Sequence, residues 1–175
     1  YNFKTKKIRR CTPEKGTHYA QFSTDGTLFL DSYSSSTEPR RVALYDNKGK
    51  EIKQIHKSDN PWANLDMPEI DVFKIKAKDG TDLYARMIKP LNFDANKKYP
   101  VIVYVYGGPH AQLITDTWLS GANNFFLFLA QQGYIVWTVD SRGSANRGFE
   151  FESAIWRNCG SIEVSDQMDG VNYLK

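Results

Sequence analysis

The residues best suited to chemistry are Tyr106-Gly107-Gly108-Pro109, which follow directly on the run Tyr99-Pro100-Val101-Ile102-Val103-Tyr104-Val105. Residues 101–105 are all β-branched or aromatic, on both alternating faces. That predicts a strand over 99–106 covered on both sides, as in a parallel sheet with helices above and below. Glycines at the end of such a strand allow a sharp turn and close approach of a ligand. Ligands of open α/β sheets bind at that end of the strands. There the Tyr106 hydroxyl could donate to the negative charge that acyl transfer builds on a carbonyl oxygen. Losing one such donor costs about 2.7–4 kcal/mol of barrier. The plainer reading makes Tyr106 a packing residue beside a tight turn. A second group, Asp140-Ser141-Arg142-Gly143, ends the apolar run Tyr134–Val139. The Arg142 guanidinium could fork onto carboxylates or carbonyls and hold that loop, which we favour over contact with a substrate. His110, next to the glycine turn, could serve as a general base or support the loop.

Tyr-Gly-Gly-Pro after an apolar strand, together with Asp-x-Arg-Gly after a second one, resembles the prolyl oligopeptidase family of serine peptidases. The similarity is closest to its dipeptidyl peptidase IV branch and extends over essentially the whole chain. The resemblance implies that Tyr106 donates to the oxyanion. It makes Gly107, Gly108, Pro109, His110, Asp140, Arg142 and Gly143 supporters of the site. In the family the base comes from near the C-terminus, which leaves His110 as a loop-support or entrance residue. Tyr106, where the acylaminoacyl-peptidase branch tends to have His, favours the dipeptidyl peptidase branch. The implied reaction cleaves a peptide substrate after an N-terminal dipeptide with Pro or Ala second. Ser attacks, His moves the proton and Asp orients the His. The glutamates that bind the substrate amine in this branch belong to an earlier part of its propeller. The resemblance implies no metal or organic cofactor, a homodimer, and a periplasmic, cell-envelope or extracellular setting; the residues themselves fix no compartment.

A hydrolase of this kind needs a Gly-x-Ser-x-Gly elbow followed by Asp and then His. The 175 residues contain no such pentapeptide; Gly143-Ser144-Ala145 and Gly160-Ser161-Ile162 place Ser directly after Gly. The expectation is a piece of a longer enzyme, inactive by itself, with the triad beyond Lys175. Two other readings stay open. One is a different α/β-hydrolase: an acylaminoacyl peptidase, an oligopeptidase or an esterase. The other is a non-catalytic scaffold or dimerisation module.

The elements that must position these residues follow from the pattern. Short alternating segments at 18–23, 27–33, 41–45 and 51–55, with Asp25-Gly26 and Asp46–Lys50 between them, predict two hairpins. Four such strands suit one propeller blade. A free-standing small β-domain would show the same pattern; the family resemblance implies that residues 1–56 are the last blade of a β-propeller, and 57–69, with Pro61 and Pro68, reads as a linker. The fold class expected for 70–175 is α/β, the first half of an α/β-hydrolase sheet. It should contain strands 70–76, 83–89, 99–106 and 134–139 and helices 118–132 and 161–174. The acidic first turn of the last helix, with Glu163 and with Asp166 just after it, suits a helix N-terminus. Such a half sheet would expose an unpaired strand edge and promote self-association.

Composition excludes several classes. The chain is 41% hydrophobic and 25% charged, ordinary for a globular protein. A net charge of +3 is too mild and dispersed for nucleic acid. The densest basic run, Lys4–Arg10, holds five Lys or Arg with no aromatic between them and reads as a solvated edge strand. No apolar run approaches the ~20 residues of a membrane span. Cys11 and Cys159 lack metal-ligand spacing and read as free thiols.

Overall fold

The computed structural model describes residue 1 and residues 4–175; Asn2 and Phe3, within the span 1–56, lie outside the described residues. The chain forms two compact units, one of Tyr1–Pro61 with Asp116–Trp118, the other of Trp62–Thr115 with Leu119–Lys175.

The first unit is an antiparallel sheet in the order β1-β2-β3-β4, comprising β1 (Thr17–Phe22), β2 (Leu28–Ser34), β3 (Arg41–Asp46) and β4 (Glu51–Lys57). Asp25 builds the first turn, accepting from the Ser23 hydroxyl and from the Thr27 hydroxyl and amide, which hold its carboxyl down to about 2. Asp46 builds the turn before β4 by accepting from the amides of Lys48 and Lys50. Burial concentrates in the two inner strands, where Phe29 stacks on Tyr45 at 5.2 Å between ring centroids. Residues 4–10 are exposed but form no strand. Lys6 takes a left-handed φ of 58°, which breaks extended backbone there. Arg9 and Arg10 bond to the carbonyls of Asn47, Thr12 and Glu14 rather than lining a strand edge.

The second unit is a mixed sheet in the order β5-β6-β8-β7. A hairpin of β5 (Ile70–Lys76) and β6 (Asp82–Ile88) turns at Asp79-Gly80, where Gly80 has φ 87°. β8 (Ile135–Asp140) runs antiparallel to β6 and parallel to β7 (Val101–Val103). Every residue of β8 is buried. One face of the sheet packs Ile75, Leu83, Trp137 and Val139 with Phe151 and Leu174. The other packs Ile88 and Val136 against Phe126, Leu127 and Ala130 of α1 (Asn124–Gln131). The helices α2 (Phe149–Ser153) and α3 (Ile162–Tyr173) follow β8.

Two further expectations need correction. The strand predicted over 99–106 as doubly buried is regular only over Val101–Val103, and Val101, Ile102 and Val103 are 37–39% exposed. β7 is the edge strand and bonds only to β8 among the described residues, so its apolar outer side has no cover there. The helix expected over 118–132 begins at Asn124. Leu119, Ser120 and Gly121 all have positive φ, and Asn123 caps the true start by accepting from the Phe126 amide at 3.0 Å. Residues 149–153, left without an element in the sequence pattern, form α2.

α3 lies close on the sheet because Gly170 has no side chain. A Cβ there would sit 2.7 Å from Val139 Cγ2 and 3.1 Å from Trp137 Nε1. Alanine would gain about 1 kcal/mol of helix propensity. Overpacking of this kind costs about 1–3 kcal/mol. Gly170→Ala is therefore expected to lower the midpoint of thermal unfolding; a raised midpoint would mean the helix shifts freely.

Candidate active-site loops

β7 delivers the chain to the turn 106–110. Tyr106 is 59% exposed, and its ring lies over Gly108, where a Cβ would come within 2.9 Å of Cε1. Gly107 has φ 67°, a conformation that favours glycine. His110 also has positive φ, at 66°, although it carries a side chain. Its amide donates to the Gly143 carbonyl at 3.1 Å, and its Nδ1 lies 2.5 Å from Glu152 Oε1 on α2.

Asp140, the last residue of β8, is buried, and its two carboxylate oxygens accept the amides of Leu113 at 2.9 Å and Ile114 at 3.0 Å. Burial pushes its carboxyl upward; those two amides, then the charges of Arg86 and Arg147, oppose the shift. Arg86 of β6, also buried, donates through Nη1 to the carbonyls of Ser120 at 2.7 Å and Leu113 at 3.1 Å, and through Nη2 to Thr138 Oγ1 at 3.3 Å. Burial draws the Arg86 guanidinium below its usual range, and the charge of Asp140 opposes this. The loop between β7 and α1 is thus held from beneath by one anion and one cation, each bonded to loop backbone.

Arg142 sits on the neighbouring loop. Its Nε and Nη2 reach the fully buried Asp166 of α3 at 3.1 and 2.6 Å, and its own amide donates to the same carboxylate at 2.8 Å. Nη1 reaches Asp79 in the β5–β6 turn at 2.5 Å. The Asp166 bond, foremost, raises the Arg142 guanidinium above its usual range. Gly143, at φ 98°, donates to the Phe151 carbonyl at 2.9 Å, and a Cβ on it would collide with Ile155.

The sequence-predicted residues fall on two adjoining loops. Tyr106, Gly107, Gly108, Pro109 and His110 form one, Asp140, Arg142 and Gly143 the other, joined by the His110–Gly143 backbone bond. Sequence reasoning missed Arg86, Asp79 and Glu152. Glu163 stands in the first turn of α3 as the sequence suggests, whereas the role of Asp166, just after that turn, was missed: its carboxylate binds Arg142. Arg86 carries a signal in principle, a lone cation within the apolar segment Leu83–Ile88. Glu152 carries none, since 42 residues separate it from His110. Among the described residues no cluster of His, Cys, Asp or Glu could hold a metal ion, and no helix is long and apolar enough to cross a membrane. Cys11 and Cys159 are free thiols.

The sequence profile of the prolyl oligopeptidase family matches residues 121–175. Dipeptidyl peptidase 8 of Mus musculus is 33% identical over 177 residues, covering 96% of this chain and 20% of that protein. Dipeptidyl peptidase 4 of Trichophyton rubrum is 32% identical over 175 residues, covering 95% of this chain and 22% of that protein. A Bacteroides ovatus crystal structure described as a dipeptidyl aminopeptidase IV superposes with a TM-score of 0.87 at 45% identity, over 93% of this chain and 24% of that one. Porphyromonas gingivalis dipeptidyl peptidase 4 does so with a TM-score of 0.82 at 28% identity, over 93% and 23%. The chain spans about a fifth of the length of the curated relatives it matches.

The Arg142 network gives a pH signature. Hydrogen bonds from Thr81, and then from Arg142, lower the Asp79 carboxyl from 3.8 to about 2. The folded state therefore favours ionised Asp79. This contribution is complete above the unfolded value and disappears as pH falls from 3.8 to about 2. Asp79→Asn should lower the unfolding midpoint at neutral pH, with the difference from the parent closing near pH 2. A difference that stays constant through that window would assign the loss to geometry instead of charge.

Proposed function

Since the chain belongs, over the stretch it spans, to the prolyl oligopeptidase family and within it to the dipeptidyl peptidase IV branch, we propose that its parent protein is a serine exopeptidase. That enzyme releases N-terminal X-Pro or X-Ala dipeptides from peptides through an acyl-enzyme. In this reading residues 1–56 are the last blade of a propeller and 57–69 a linker. Residues 70–175 are the N-terminal part of an α/β-hydrolase domain, and the Ser, Asp and His come from outside these 175 residues. The division of the chain into units near Pro61 supports the domain assignment. So does the order β5-β6-β8-β7, a hairpin leading into a parallel β7–α1–β8 crossover.

The observation that carries the reading is the exposed Tyr106 on the loop leaving the third strand of this sheet. In α/β-hydrolases the loop after the third strand supplies a donor to the oxyanion hole. A Ser nucleophile adding to the scissile carbonyl would place charge on its oxygen. The Tyr106 hydroxyl, which has no hydrogen-bond partner among the described residues, would donate to that oxygen, together with the amide following the Ser. Gly107 lets the turn form and Gly108 leaves room for the Tyr106 ring. Asp140, Arg142 and Gly143 hold the two loops in register.

In the full-length protein, Tyr106→Phe should lower kcat on a Gly-Pro chromogenic amide about 100-fold or more, with KM little changed and folding intact. Equal activity of the two proteins would remove Tyr106 from the mechanism. Cleavage of only N-blocked or ester substrates would shift the assignment to another hydrolase, and inactivity on all of them to a scaffold. Separately, the half-exposed apolar edge at Val101–Val103 supports self-association of the 175-residue chain. Light scattering should give a mass above the monomer; a strictly monomeric species at high concentration would contradict it.

A further inference from the structure

His110 is strained and tied. It holds φ 66° without being glycine, a left-handed conformation that persists only where the surroundings impose it. Two contacts enforce it: the amide bond to the Gly143 carbonyl and the 2.5 Å contact of Nδ1 with Glu152 Oε1. The Glu152 end is itself anchored. Its amide donates to the Gly148 carbonyl at 3.1 Å, and the carbonyl of the preceding residue, Phe151, accepts from Gly143 at 2.9 Å. Three segments, the turn 106–110, the loop 141–144 and α2, are therefore closed into one ring of contacts. A further contact, Asn146 Nδ2 to Gln112 Oε1 at 2.7 Å, runs alongside it. Tyr106 is four residues from His110 on this turn, its ring against the Gly108 backbone.

We propose that Glu152, through its contact with His110, is a positioning residue that holds the turn Tyr106–His110 and so aims the Tyr106 hydroxyl. The inference rests on the oxyanion reading of Tyr106 and adds a residue to it. The His110 side chain is 81% exposed, and an exposed pair of this sort adds little to global stability. Its effect is local. A misplacement of 1 Å can cost about 100-fold in rate, so partial release of the turn should cost on the order of tenfold in kcat.

The test is a double-mutant cycle in the full-length enzyme, with kcat and KM measured on a Gly-Pro chromogenic amide and thermal unfolding as a check of fold. Glu152→Ala should lower kcat about tenfold with KM unchanged, while Glu152→Gln, which still accepts from Nδ1–H, should recover most of it. In the Tyr106→Phe background Glu152→Ala should cost nothing further, because the group it aims is already gone. Losses that multiply in the double variant would overturn the proposal, and so would wild-type kcat in Glu152→Ala. If Tyr106→Phe alone left kcat unchanged, the oxyanion reading would fail and take this inference with it. A large Tyr106 effect without epistasis sinks only the role of Glu152.

Discussion

The buried carboxylate of Asp140 is the constraint on which the rest of the second unit depends. It stands at the end of β8, the most deeply buried strand, and both of its oxygens face backbone amides of the loop opposite. Removing a carboxylate from water costs several kcal/mol even after relaxation. Two charge-assisted bonds to Leu113 and Ile114 return about 1.5–3 kcal/mol each. Only when the loop lies over the strand end is that cost offset, so strand and loop order together. Arg86 closes the arrangement from the adjacent strand by binding the loop carbonyls of Leu113 and Ser120. A buried anion holds loop donors and a buried cation holds loop acceptors, and the turn that carries Tyr106 leads into this fastened segment.

Arg142 does for the next loop what Asp140 does for this one. Asp166 lies on α3 and Asp79 in the β5–β6 turn, so one guanidinium ties helix, hairpin and loop. Three bonds from Arg142 to the fully buried Asp166 satisfy a carboxylate that would otherwise be prohibitive there. Gly143 then permits the backbone contacts that join this loop to His110 and to α2, since a side chain at that position would strike Ile155. This ionic and backbone frame ties the loops to the sheet and to α3, whereas Tyr106 itself projects from it.

The apolar residues are distributed unevenly around that frame. β8 is buried on both faces by α1 on one side and by Phe151 and α3 residues on the other. β7, of similar composition, lies at the edge with its residues half exposed. Similar apolar segments thus have different fates, decided by position in the sheet order rather than by local preference.

Much of the architecture was legible in the residues themselves. Alternation bounded by turns that pair Asp with a positive-φ Gly, at Gly26, Gly49 and Gly80, marks the strands of the hairpins, because a strand's side-chain period and a turn's demand for positive φ are local properties. The continuous apolar run of β8 and the Tyr-Gly-Gly-Pro and Asp-x-Arg-Gly segments likewise identify where two loops leave a sheet. The break before Asn124 was not legible, because left-handed Leu119 and Ser120 break an otherwise helical apolar spacing. Nor was the edge position of β7, which depends on strand order. The partners Arg86, Asp166 and Glu152 were decided by tertiary structure alone. Charge pairing acts through space over a few ångströms, and nothing in a residue's sequence neighbourhood records which distant carboxylate or carbonyl will come within that range.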